Sequence, residues 1–229
     1  MLVLLNNFRF GLSVRSRHII YCLTNSVLGY SSNINEIIKK DIRGIGLSDP
    51  DVISNKISSA FNYTNTYYHM DPRLDICSPT SDWTGQNDFI ISSDVFEHVP
   101  SPVQKAFDGA FQVLKPGGWL ILTVPFDDRL KTTEHFENVR NFRLIDFEGD
   151  WLLFGKTEGQ NYEIHRNLIF HGGPGTTVEM RFFSRSDVIF HLEKAGFVEI
   201  KIHDQPIEEY GIFLQHDQGL PITARKPVD

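Results

Sequence analysis

Residues 87–126 read NDFIISSDVFEHVPSPVQKAFDGAFQVLKPGGWLILTVPF. Phe89, Ile90 and Ile91 form a short apolar run of the kind a buried strand needs. Polar Ser92-Ser93-Asp94 follows it, where a parallel strand would present its carboxyl end. Ligands gather at such ends. After Pro100, the apolar residues Val103, Ala106, Phe107, Ala110, Phe111 and Leu114 recur at helical spacing. Pro116-Gly117-Gly118 then stops the helix, and Trp119 to Val124 reads as a second strand. Strand, helix and strand within this one stretch make a βαβ unit.

Outward from this unit the same alternation continues. Ser26 to Ser31 reads as a first strand, with Ser31-Ser32-Asn33 as its turn and Ile34 to Lys40 as a short helix. Ile42 to Leu47 reads as a second strand, with a helix over Asp51 to Phe61 that starts behind Asp49-Pro50. A third strand is expected over Asn65 to His69, or ending nearer Asp75, ahead of the fourth at Phe89. Beyond the unit, Ser186 to Ala195 is helical and stopped by Gly196. Phe197 to His203 and Gly219 to Arg225 supply the last two strands. Alternation of this kind predicts an α/β fold on a mostly parallel sheet. The region 1–24, with Phe8 to Thr24 as a helix, would cover it.

Composition agrees with one domain over 1–229. At 229 residues and 41% hydrophobic, the chain can bury a sizeable core without splitting. A net charge of -7 supplies no broad basic surface, which argues against a nucleic-acid partner. Cys22 and Cys77 have neither metal-type nor redox-type spacing and suit a reducing cytoplasm. The apolar opening Met1 to Leu5 is too short for a signal core or a membrane span.

With the two segments Asp94-Val95-Phe96-Glu97-His98-Val99 and Leu114 to Pro125 in order and one helix apart, the chain resembles the class I S-adenosylmethionine-dependent methyltransferases. The similarity is to the small-molecule type whose fourth strand ends DVxEHV and whose fifth opens LKPGGxLxLxVP. The resemblance implies a Rossmann-like fold, a seven-stranded sheet with an antiparallel last strand, and S-adenosylmethionine as cofactor. It also implies cofactor contacts at Ser93, Asp94, Val95 and His98, with the Glu97-His98 pair closing the cofactor site. A first-turn Glu favoured by a helix dipole is the other reading of Glu97. Asp75 falls where the family places an acceptor for the adenine amino group, or it caps a turn between Pro72 and Pro79.

The glycine-rich turn of the family is altered. Its positions fall on Gly29-Tyr30-Ser31-Ser32-Asn33, which makes Gly29 and Ser31 the cofactor contacts there. The ribose-binding carboxylate expected after strand two becomes Asp49. Gly44-Ile45-Gly46 lacks the third glycine of a dinucleotide fingerprint.

After Pro125 the chain is longer than a crossover needs, so 127–184 is expected to be a β-rich lid over the acceptor. Trp151 to Lys156 and Tyr162 to His171 read as a hairpin turning at Glu158 to Asn161, followed by the loop Gly172-Gly173-Pro174-Gly175. His135 and His171 are the candidates for base or substrate contact, with an ordinary structural role as the alternative. Glu134 and Arg181 are weaker candidates. No metal is expected, since no HxxxH or Cys/His spacing occurs.

The activity implied is methyl transfer to a small polar acceptor, a hydroxyl of a sugar or related metabolite, with no membrane partner. A reading from another class is a methyltransferase-like domain without cofactor that serves as a binding partner in glycan or polysaccharide assembly. The altered first turn supports it.

Overall fold

The computed structural model describes residues 11–213 and 219–229. The apolar opening at 1–5, and the first residues of the helix expected from Phe8, lie outside the described residues.

The first element among the described residues is a helix, α1 (Val14–Leu28). The Ser13 side chain caps its start by accepting from Ser16 N, and Gly29 closes it at φ 78°, donating its N–H to Asn25 O. Its apolar residues Ile19, Ile20 and Leu23 lie at helical spacing and are buried. This corrects the expected first strand over Ser26 to Ser31. Val27-Leu28 before a glycine fits a short strand and a capped helix end alike, and burial of the preceding turns decides for the helix. The expected helix over Ile34 to Lys40 is a single 3₁₀ turn at Ile34–Glu36, and the chain is extended from Lys39 on.

The sheet therefore begins at β1 (Lys39–Leu47). It continues through α2 (Asp51–Ala60), β2 (Phe61–Thr66), β3 (Asn87–Ser93), α3 (Gln104–Val113) and β4 (Leu114–Thr123). Eight short strands follow before α4 (Arg185–Ala195), which is capped by Ser184 and closed at Gly196. β13 (Val198–Ile202) and β14 (Ile222–Arg225) complete the fold. The main sheet has six strands among the described residues, in the order β13-β14-β4-β3-β1-β2. β1 to β4 are parallel, and β14 runs antiparallel to β4. The count is six rather than seven because the expected first strand belongs to α1.

Alternate residues of the central strands feed two cores, as a two-sided parallel sheet requires. Ile45, Ile90, Leu120 and Leu122 pack with α3 and α4 through Phe107, Ala110, Val188 and Leu192. Phe89, Ile91 and Ile121 pack on the other face with α1 and α2 through Ile19, Leu23, Ile53 and Ile57. The Lys115-Pro116-Gly117-Gly118 turn is absorbed as an irregularity within β4, where Asn87 faces Leu114 but Phe89 faces Trp119. No helix among the described residues is long and apolar enough to cross a membrane.

Between β4 and α4 the chain leaves the sheet. β5 (Phe126–Asp127), β6 (Thr133–Glu134) and β12 (Arg181–Ser184) form one small sheet; β7 (Val139–Phe147), β8 (Asp150–Thr157) and β9 (Tyr162–His165) form an antiparallel second. β10 (Phe170–His171) and β11 (Thr177–Val178) form a hairpin around the glycine-rich loop. The excursion has its own core of Phe136, Val139, Leu153, Val178 and Met180.

Arg181 fastens this excursion to the main fold. Its guanidinium is fully buried and donates to Glu134 Oε1 at 2.7 Å, to Phe96 O at 2.9 Å and to Val99 O at 2.6 Å. Glu134 and Arg181, weak catalytic candidates from sequence, are thus spent on each other. Removing the guanidinium strands these acceptors, which typically costs about 3 kcal/mol or more. Arg181→Met should lower the urea unfolding midpoint accordingly, with the slope of the transition unchanged.

Candidate functional site

The carboxyl end of β3 is polar where the strand interior was apolar. Asp94, at φ 54°, donates its N–H to Thr123 O, and its Oδ1 accepts from Thr123 Oγ1 at 3.1 Å. Its Oδ2 pairs with Arg15, which reaches across from the first turn of α1. The chain then makes a 3₁₀ turn over Phe96–His98 that sends Glu97 inward.

The run 178–181 lies alongside that turn. His98 Nδ1 is 2.8 Å from Val178 O, Met180 N donates to Glu97 O at 2.8 Å, and Arg181 holds Phe96 and Val99. Glu179, flanked by buried Val178 and Met180, is itself buried, and its two oxygens meet both histidines picked from sequence. His135 Nε2 lies 2.8 Å from Oε1 and His171 Nε2 lies 2.9 Å from Oε2. The β10–β11 hairpin is what carries His171 there.

Between these parts lies a cleft of about 390 Å³. Arg15, Asp94, Glu97 and Pro125 line it from the sheet side, and His171, Glu179 and Phe182 from the excursion, with Gly219 at the margin. The carboxylates of Asp94 and Glu179 against one arginine give it a negative bias. Glu97 is fully buried, and neither of its oxygens has a hydrogen-bond partner. Burial first, and then the Asp94 charge, push its carboxyl well above the usual range. Burial also lowers His98, against the opposing hydrogen bond to Val178.

The other expected contacts fall in three places. Ser93, Asp94 and Val95 stand at the end of β3, with Ser93 Oγ 3.1 Å from Thr123 Oγ1. Asp49 follows the first sheet strand, not the second. It is buried, accepts from the Tyr63 hydroxyl on β2, and leaves Oδ1 without a partner. Asp75 caps a turn, its Oδ1 accepting from Cys77 N at 2.9 Å. Gly29 and Ser31, in contrast, sit past the far end of α1. Gly29 is fourteen residues from Arg15, about 21 Å along the helix axis. The glycine turn read there is a helix cap, and the turn that actually follows the first sheet strand is Ser48-Asp49-Pro50.

Arg15 and Glu179 were not singled out by sequence. For Glu179 a signal existed, an acid at the alternate position between Val178 and Met180; for Arg15 there was none. The structure also assembles a Cys/His group that spacing did not predict. His18, Cys22 and His203 are buried with their ligand atoms within 4.8 Å of one another, and His18 and His203 are pushed by burial down to about 4.

A methyltransferase domain family matches residues 37–168, more than half of the chain. No curated protein matches. Among solved structures, the fold is similar to an S-adenosylmethionine-dependent methyltransferase from Clostridium acetobutylicum. The TM-score is 0.52 at 12% identity, covering 96% of this chain and 94% of that one. It is also similar to the Burkholderia thailandensis 1,6-didemethyltoxoflavin-N1-methyltransferase, solved with 1,6-didemethyltoxoflavin and S-adenosylhomocysteine. There the TM-score is 0.50 at 12% identity, covering 93% and 78% of the two chains.

Asp49 offers a pH test of this geometry. Burial raises its carboxyl from 3.8 to about 6, against the lowering effect of the Tyr63 hydrogen bond. A raised acid holds its proton longer folded than unfolded, so the protein loses stability as pH rises from about 4 to about 6 and regains none above. The loss amounts to about 3 kcal/mol. Asp49→Asn keeps an acceptor for Tyr63 and removes the charge. It should match wild type in urea unfolding below pH 4 and exceed it by up to that amount at pH 8.

Proposed function

The chain belongs to the methyltransferase domain family, and from that premise we propose that it methylates a hydroxyl of a sugar or related small metabolite. S-adenosylmethionine is the cofactor, and it supplies the methyl group on a sulfonium that leaves readily. The described residues suit such a cation. Asp94 and Glu179 bring negative charge to one cleft, and Asp49 Oδ1, Ser92 Oγ and both Glu97 oxygens are buried polar atoms without a partner. Arg15 at the cleft margin suits a carboxylate.

In this reading Asp49, Asp75, Ser93, Asp94 and Val95 serve the cofactor side, at the carboxyl ends of β1 to β3. His98 stands with the cofactor side, and His135 and His171 serve the acceptor side. Gly29 and Ser31 drop out, because they lie at the other end of α1.

The observation that carries the acceptor class is Glu179 holding two histidines: His171 and Glu179 line the polar cleft, and His135 meets the other oxygen of Glu179. An alcohol must lose its proton as its oxygen is methylated, and a histidine oriented by a carboxylate is suited to take it. Glu179 accepts from the Nε2–H of His135, which leaves His135 Nδ1 to receive the proton, and the carboxylate then stabilises the imidazolium formed. His171, on the cleft wall, holds the acceptor. A cleft with Arg15, Asp94 and Glu179 on its walls offers hydrogen bonds to several hydroxyls, which specificity for a polyol requires.

Two measurements test this. Isothermal titration with S-adenosylhomocysteine should show one site, weakened about tenfold in Asp94→Asn, or roughly 1.4 kcal/mol. Mass spectrometry of a panel of polyol, amine and carboxylate acceptors incubated with methyl-labelled cofactor should place the label on a hydroxyl. His135→Ala should then lower the turnover about a hundredfold or more with little change in KM. Label found only on nitrogen or carbon sinks the hydroxyl reading.

A further inference from the structure

Glu97 is fully buried, borders the cleft, and receives no hydrogen bond at either oxygen. A buried carboxylate without a donor is strongly disfavoured, and its nearest polar neighbours have no proton to give. His98 Nδ1 lies 2.8 Å from the carbonyl of Val178, which can only accept, so the His98 proton sits on Nδ1. Its Nε2 therefore presents a lone pair, 3.7 Å from Glu97 Oε1. His171 Nε2 lies 2.9 Å from Glu179 Oε2 and donates to it, which puts the lone pair on Nδ1, 3.9 Å from the same Glu97 oxygen. Two imidazole lone pairs and a carboxyl group thus converge, with no proton on either facing imidazole nitrogen and all three ligand atoms within 4.8 Å.

We propose that Glu97, His98 and His171 bind a divalent transition-metal ion in the wall of the cleft. Each histidine is backed as metal-bound histidines are, one by a backbone carbonyl and one by a carboxylate, which fixes the ring and its tautomer. Two imidazole nitrogens and one carboxylate oxygen favour zinc, iron or cobalt over magnesium or calcium. The two separations from Glu97 exceed the edge of about 3.3 Å expected around a tetrahedral ion, so binding draws the ligands inward. Three protein ligands leave a position open toward the cleft. Glu179 is a positioning residue: it orients His171 with one oxygen and His135 with the other. The ion's role rests on the hydroxyl-acceptor reading. An acceptor hydroxyl at the open position is acidified and gives its proton to His135 as the oxygen–methyl bond forms and the sulfur–methyl bond breaks.

The test is binding of Co²⁺ to the full chain after stripping with a chelator, followed by visible absorption, with Zn²⁺ titrated by calorimetry. One equivalent should bind, with the bands of nitrogen- and oxygen-ligated cobalt and no thiolate charge-transfer band. Affinity should fall roughly a hundredfold in Glu97→Gln and in His171→Ala, and about tenfold in Glu179→Gln, with far-UV circular dichroism unchanged. His171 is partly exposed, so its variant guards against a folding defect in Glu97→Gln. Cobalt held equally by both variants, or with a thiolate band, places the ion at His18, Cys22 and His203 and overturns the proposal. Absence of binding overturns it as well and leaves Glu97 a buried carboxylic acid. Cobalt bound as expected, with no hydroxyl labelled by any acceptor, refutes the acceptor and leaves the ion site standing.

Discussion

The guanidinium of Arg181 is the contact on which the site depends. It comes from a strand outside the main sheet and ends inside the turn that follows β3, holding the carbonyls of Phe96 and Val99. With the Met180 to Glu97 backbone bond and the His98 to Val178 contact, it makes four residues of the excursion run as a close partner of that turn. The β3 turn alone offers Glu97 and His98, whereas the excursion alone offers His171 and Glu179. Burying a full positive charge between them is expensive unless every donor is met, so the two halves have little freedom to slide.

That fixed register has an electrostatic result. Glu97, Glu179 and Asp94 are brought to one cleft, the first two buried and Asp94 partly exposed. The chain answers Asp94 with Arg15 and Glu179 with two histidines, but gives Glu97 nothing. A negative site of this kind favours cations, and the fold concentrates it where the parallel strands end and ligands collect.

The residues 87–126 were readable because each choice in them agrees with its neighbours: an apolar strand, a helix with apolar residues at helical spacing, and a proline-glycine break. Agreement across levels is what makes a segment legible. Ser26 to Ser31 lacked that agreement. Val27 and Leu28 before Gly29 satisfy two conformations, and the choice is made by contacts of Ile19 and Leu23 with the sheet, which local pattern does not contain. The altered glycine turn was a consequence of that misplacement, since the real first turn lies at Ser48 to Pro50. His98, His135 and His171 could be picked from the sequence one by one, but their grouping could not. Arg15 meets Asp94 across 79 residues, and His98 meets Val178 across 80. Chain separations of that size are set by topology, not by spacing.

The helix α1 and the β10 to β12 segment share a property that the sheet does not. Of the residues that border the cleft, Arg15, His171, Glu179, Phe182 and Gly219 all fall outside residues 37–168, while Asp94, Glu97 and Pro125 fall within. The matched portion carries most of the main sheet, and five of the eight residues that border the cleft come from the flanking segments. Knowledge of what other family members methylate therefore transfers poorly to this chain. The informative comparison for its acceptor is between flanking segments, matched on an arginine at the start of the covering helix and a glutamate that joins two histidines.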